Sequence, residues 1–192
     1  MEQKQILEIF NQTKAILKGH FVLTSGRHSD TYMQCAKLFV YPDKAEQICA
    51  ALCNKLKEIN IDYVVSPAVG GIIMGYQVAK LLNKPNLFFE RQDGKMTLRR
   101  GFELPQGSNV LVVEDVVTTG GSVKEVITQV ESMGGKVAAV ASIVDRSGGN
   151  VNFGKKFVSL LSMEIISYSE QDCPLCKQGL QAYKPGSRDL KH

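Results

Sequence analysis

The chain has 192 residues, 44% of them hydrophobic and 22% charged, which suits one globular domain, 1–192, able to bury a core without help from disulfides or metal. Lys and Arg exceed Asp and Glu by 23 to 19, a mild basic bias that fits small anionic substrates but lacks the clustered run of a nucleic-acid footprint. No apolar stretch approaches the ~20 residues that span a bilayer, and Met1-Glu2-Gln3-Lys4-Gln5 mixes its charges, so a cytoplasmic protein without membrane or nucleic-acid partner is expected.

In chain order, residues from about 3 to 17 place Ile6, Phe10 and Leu17 near one face and predict an amphipathic helix stopped by Gly19. Phe21-Val22-Leu23 then precedes a polar turn segment, and Thr31-Tyr32-Met33 resumes an extended pattern. Pro42-Asp43 is a favourable first turn for a helix to about Lys57. Its Cys49 and Cys53, four apart, read as small core residues. A strand over 61–66 leads through Ser66-Pro67-Ala68-Val69-Gly70-Gly71 into a helix ending near Leu82. That turn, with Val69 and Gly70, offers backbone N–H groups and a helix N-terminus to an anion.

After a strand over 86–89, residues 90–101 hold Arg91, Lys95, Arg99 and Arg100 with two glycines, which predicts a mobile basic hairpin. The most informative stretch follows, thirteen residues from Val110 to Ser122. Val110 to Val113 suits a strand buried on both faces and ending at Glu114-Asp115. Val117, Thr118, Thr119, Gly120, Gly121 and Ser122 supply hydroxyls, close backbone approach and a helix start, the parts of a phosphate site. Two adjacent carboxylates repel a pyrophosphate and more plausibly accept hydrogen bonds from ribose hydroxyls. A helix to about Met133, stopped by Gly134-Gly135, and a strand over 137–144 ending at Asp145-Arg146 complete the pattern. Alternating strands and helices imply an α/β fold with a central parallel sheet of four or five strands flanked by helices. A nucleotide triphosphatase is not expected, because a Walker loop needs a lysine after its second glycine and the chain shows no such pattern.

Five cysteines, an odd number, argue for reduced thiols. Cys173-Pro174-Leu175-Cys176 has the spacing of half a zinc site or a redox pair. Zinc wants four ligands. No second such pair exists and the only histidines are His20, His28 and His192, so unligated thiols are expected, ahead of metal shared across subunits or redox chemistry.

The strand, acidic pair and Thr/Gly/Ser loop resemble the phosphoribosyl pyrophosphate signature of the type I phosphoribosyltransferases. Phe21-Val22-Leu23-Thr24-Ser25-Gly26-Arg27-His28-Ser29 further resembles the N-terminal hood of orotate phosphoribosyltransferases, with its Leu-x-Ser-Gly-x-x-Ser pattern. The resemblance covers residues from about 20 to 150. It implies a type I phosphoribosyltransferase fold with a small hood mainly in residues 1–40, and leaves about 165–192 as an appendage. It also implies a homodimer, Mg²⁺ held mainly by the substrate, and transfer of a 5-phosphoribosyl group to orotate with release of pyrophosphate.

By the same resemblance Lys95 matches the flap lysine that serves the neighbouring subunit's site, and Arg91 a pyrophosphate-binding arginine. Lys95, Glu114 and Asp115 are then the catalytic candidates. Arg146 matches the residue that pairs with the orotate carboxylate, while Tyr32 and Met33 align with the wall of the orotate pocket. Thr24 stands where a ligand-contacting lysine is frequent, so that contact is either lost or supplied by Arg27 or His28. Gln92 and Thr97 replace flap cations found in many members. A purine phosphoribosyltransferase shares the signature but has no use for Arg146, since neutral purines carry no carboxylate. A phosphoribosyl pyrophosphate-sensing regulator that binds nucleic acid should add a winged-helix segment or a dense basic face, and neither is evident.

Overall fold

A computed structural model describes residues 1–23 and 25–185. Helix α1 (Gln3–Gln12) buries Ile6, Ile9 and Phe10, and the Gln5 side chain accepts the Glu2 N–H at 2.9 Å to cap its start. It ends earlier than the periodicity suggests. The Thr13 hydroxyl turns back to the Ile9 carbonyl, Lys14 takes a left-handed φ of 54°, and the chain becomes strand β1 (Ile16–Val22). Leu17 and Gly19 therefore lie in a strand, where the apparent helical spacing of Leu17 is a coincidence. Strand β2 (His28–Met33) pairs antiparallel with β1, Ile16 opposite Met33 and Val22 opposite His28. This hairpin is the predicted hood. A 3-10 turn (Cys35–Val40) then leads into α2 (Pro42–Asn54).

The remaining strands are β3 (Tyr63–Pro67), β4 (Asn86–Gln92), β5 (Lys95–Leu98), β6 (Asn109–Val117), β7 (Lys136–Asp145) and β8 (Phe157–Ser162). They form one sheet in the order β5-β4-β3-β6-β7-β8, parallel except for the β4–β5 hairpin at its edge. The sheet thus has six strands rather than four or five. The sequence reading lacks β8, a half-buried edge strand whose apolar signal is diluted.

Helix α3 (Gly71–Leu82) connects β3 to β4, and α4 (Gly121–Ser132) connects β6 to β7. Strand β6 shows why its sequence is unbroken in apolarity. Leu111 and Val113 join the core formed with α1, α2 and α3, while Val110 and Val112 join the core under α4. The two crossover helices therefore lie on opposite faces, and the winding reverses between the adjacent strands β3 and β6. Open α/β sheets bind ligands at the carboxyl ends of strands at such a reversal.

After β8 the chain returns to the hood. Tyr168 and His28 exchange backbone hydrogen bonds at 2.8 and 2.9 Å, and Tyr183 brackets β1 by bonds to His20 and Val22. The Cys173 to Cys176 turn opens helix α5 (Pro174–Lys177). It meets both hood histidines, a neighbourhood that the sequence spacing did not reveal. His192 and residues 186–188 of the basic tail lie outside the described residues. Among the described residues, no helix is long and apolar enough to cross a membrane.

Candidate active site

Two loops meet at the reversal. One follows β3 and comprises Ala68, Val69, Gly70 and the start of α3; the other follows β6. A side chain at Gly70 would lie 3.5 Å from the Asp115 carboxylate, and one at Gly71 only 2.9 Å from Ser66 Cβ. Gly71 thus lets the start of α3 pack closely on β3, while Gly70 lies in ordinary contact range of Asp115. The Ala68-Val69 peptide is cis, and Val69 is 82% exposed beside the site.

Strand β6 continues through the acids to Val117 instead of ending at Glu114, because its pairing with β7 extends to Val117 opposite Asp145. Regular pairing holds the acids rigidly at the sheet's carboxyl edge. Beyond it, Glu114 and residues 116–123 enclose a pocket of about 80 Å³. That is far below the ~300–1,000 Å³ of a site for a whole small molecule; it takes one compact group. Gly120 has φ 72° and caps α4, and any side chain there would come within 2.8 Å of Phe153. Thr118, Thr119, Gly121 and Ser122 complete the predicted cradle.

Burial pushes the Glu114 carboxyl up to about 9, and the neighbouring Asp115 charge adds to the effect. Asp115 is also raised, chiefly by burial, although the Val116 N–H donates to it at 2.8 Å and opposes the shift. Both carboxyls are half-buried. Without a cation beside them the pair holds a proton.

Arg146 follows the end of β7, its N–H bonded to the Val117 carbonyl at 2.8 Å. Its Nε is buried with no hydrogen-bond partner, and among the described residues no carboxylate pairs with it. Burial pulls the guanidinium below its usual pKa, while interaction with Cys35 and Tyr32 pushes the other way. Tyr32, half-buried, extends from the hood toward Arg146 and bonds Gln34 at 3.0 Å. Met33 is 5% exposed and packs in the core with α1. Strand alternation turns Met33 away from the face that Tyr32 presents, so its side chain forms no pocket wall.

The flap hairpin is present but anchored. Met96 is buried under α4, and Arg91 forms a two-pronged ion pair with Glu125 of α4 at 2.7 and 3.0 Å. Arg100 grips Glu90 with two hydrogen bonds and lies over Phe88, and Arg99 stands 3.7 Å from the same carboxylate. Three of the four predicted flap cations are thereby paired within the chain. Lys95 is exposed beside the hairpin's turn, at the start of β5, and among the described residues no carboxylate pairs with it.

Neither substitute for the hood lysine is free, since Arg27 holds Ser167 and His28 is buried against His20; Thr24 itself lies outside the described residues. Sequence reasoning gave no role to Glu125, Cys35 or Tyr183, which surround the predicted residues. Glu125 and Tyr183 come from distant parts of the chain, and Cys35, although close to Tyr32 in sequence, meets Arg146 from far along it, so no local spacing signals these neighbours. A larger cleft of about 580 Å³ lies at the opposite end of the sheet, between the end of α3 and the start of β4, away from these groups.

Residues 42–175 match the phosphoribosyl transferase domain family. The orotate phosphoribosyltransferase of Caldanaerobacter subterraneus is 54% identical over 99% of this chain and 100% of its own. The crystal structure of orotate phosphoribosyltransferase from Aeropyrum pernix superposes with a TM-score of 0.70 at 26% identity, covering 82% of this chain and 93% of that one. An adenine phosphoribosyltransferase from Thermoanaerobacter pseudethanolicus shares the fold at 18% identity, with a TM-score of 0.60 over 69% of this chain and 88% of that one.

Proposed function

This chain belongs to the orotate phosphoribosyltransferase family, and on that premise we propose how its residues divide the reaction between them. The protein transfers the 5-phosphoribosyl group of phosphoribosyl pyrophosphate to orotate, giving orotidine 5′-monophosphate and pyrophosphate in pyrimidine biosynthesis. The cytoplasm is the proposed setting.

The loop from Val117 to Ser122 takes the 5-phosphate, for which its compact pocket and helix start are suited. Glu114 and Asp115 take the ribose hydroxyls. The reaction passes through a cationic sugar, and carboxyl groups placed beside it favour the positive charge as it develops. That interaction is stronger in the transition state than before it, which is the condition for raising turnover. The pyrophosphate lies toward Val69 and Gly70 and is met by Lys95. Arg91 can join only by leaving Glu125.

Mg²⁺ fits this arrangement as an ion held mainly by the substrate, because phosphate oxygens are common Mg²⁺ donors and Glu114 and Asp115 are engaged with the ribose hydroxyls. When bound it would offset the charge of the leaving pyrophosphate.

The single observation that selects orotate over a purine is the half-buried guanidinium of Arg146, which no carboxylate of the described chain neutralises. The orotate carboxylate supplies the missing anion, with Tyr32 beside the ring. A homodimer is supported by Ile73 and Tyr76, 57% and 64% exposed at i and i+3 on α3, the helix that starts beside the site. In that dimer Lys95 serves the partner's site. Mixing the protein with Mg²⁺, phosphoribosyl pyrophosphate and orotate, adenine, hypoxanthine or uracil tests the reading. Orotate absorbance should fall; conversion of a purine with orotate unchanged would refute it.

A further inference from the structure

Outside the active site, four metal-ligating side chains from three separate stretches converge on one point. His20 Nε2 lies 2.8 Å from His28 Nδ1, Cys173 Sγ is 3.5 Å from His20 Nε2, and Cys176 Sγ is 3.3 Å from His28 Nδ1 and 3.7 Å from His20 Nε2. The four ligand atoms lie within 4.8 Å of one another, and three of the four residues are buried. We infer that His20, His28, Cys173 and Cys176 form a structural site for a zinc-class divalent cation, which fastens the C-terminal segment to the hood.

The distances match the geometry of the ion. Zn–S near 2.3 Å and Zn–N near 2.0–2.1 Å give tetrahedral edges of about 3.5 Å between N and S and about 3.3 Å between two nitrogens. Three N–S distances, 3.3, 3.5 and 3.7 Å, are already near that length, and the histidine pair needs to open by only about 0.5 Å. The His20 Nδ1–H donates to the Leu180 carbonyl at 2.7 Å, which fixes the tautomer and leaves Nε2 as a lone-pair donor aimed into the cluster. Leu180 belongs to the same segment as the two cysteines, so the outer contact and the two sulfur ligands come from one turn around α5.

The chemistry is selective. Two thiolates and two neutral imidazoles balance a doubly positive ion, and the two thiol protons leave to solvent on binding. Sulfur and imidazole donors prefer zinc to magnesium, and four protein ligands leave no open position, which marks a structural rather than a catalytic centre. None of the four residues belongs to the proposed substrate site, so the assignment stands apart from the choice of substrate. Its consequence reaches that site through β2, where His28 begins the strand that carries Tyr32.

The test uses the full chain, purified reduced and without chelator. Elemental analysis should give about one zinc per chain. After zinc removal, one equivalent of cobalt should produce the intense visible bands of four-coordinate cobalt and thiolate-to-cobalt charge transfer, both erased by added zinc. Chelation should lower the melting temperature by about 5–10 °C, the shift expected for an ion present at about 100 times its Kd. Cys176→Ser with His28→Gln should abolish the cobalt bands. If the folded, reduced wild-type chain binds neither zinc nor cobalt, or if the purified protein is two mass units light from a Cys173–Cys176 disulfide, the metal site is refuted.

Discussion

Replacing Arg146 with leucine separates a substrate-binding arginine from a structural one by two readouts of opposite expectation. Losing one member of a desolvated charge pair costs about 2–5 kcal/mol, so KM for orotate should rise roughly 30-fold or more at 1.4 kcal/mol per decade. KM for phosphoribosyl pyrophosphate should stay within about twofold, because its groups lie at the acidic pair and the phosphate loop. Stability should move the other way. The buried Nε lacks a partner, and an unsatisfied buried donor costs about 1–3 kcal/mol. Taking the low end for a half-buried group, removal should raise the melting temperature by about 2–4 °C. Steady-state kinetics with each substrate varied in turn, together with thermal melting of the unliganded protein, measure both. A lower melting temperature with an unchanged orotate KM would make Arg146 a scaffold residue and remove the basis for selecting orotate at this strand end.

Lys95→Ala should reduce turnover by about 10²-fold or more, with a smaller change in phosphoribosyl pyrophosphate affinity, as expected for one preorganised contact to a leaving group; unchanged turnover would assign that contact elsewhere. If the flap serves the partner subunit, mixing Lys95→Ala and Arg146→Leu dimers under exchange, assayed at orotate far below the raised KM of Arg146→Leu, should restore activity, and no recovery would place Lys95 in its own subunit's site. Glu114 titrates near 9 in the folded chain against about 4.3 unfolded. The folded state therefore holds the extra proton between those values and loses stability as pH rises through the window. Glu114→Gln should melt above wild type by a margin that widens from pH 5 to 9, and adding Asp115→Asn should keep the fold while impairing catalysis; a margin constant with pH would show that Glu114 is not raised. Ile73→Asp with Tyr76→Asp should convert a dimer to monomer by light scattering, and an unchanged mass would move the interface off α3.

The sequence alone determined the parts of this protein that depend on local order. The Val110 to Ser122 stretch carries its strand, acidic pair, phosphate loop and helix start in consecutive residues, and those elements form where their hydrophobic runs and glycines place them. Boundaries were less legible, because α1 and β1 are divided by a Thr13 back-bond and a left-handed Lys14, which periodicity does not register. Tertiary structure alone decided how distant groups neutralise or fail to neutralise one another. Arg91 and Lys95 look alike in a basic segment, yet only Arg91 meets Glu125 across a helix. Met33 and Tyr32 are neighbours in sequence, but the pleat sends one to the core and the other toward Arg146. His20, His28, Cys173 and Cys176 converge because the chain after β8 folds back along the hood, and pairing across more than 140 residues leaves no mark in local spacing.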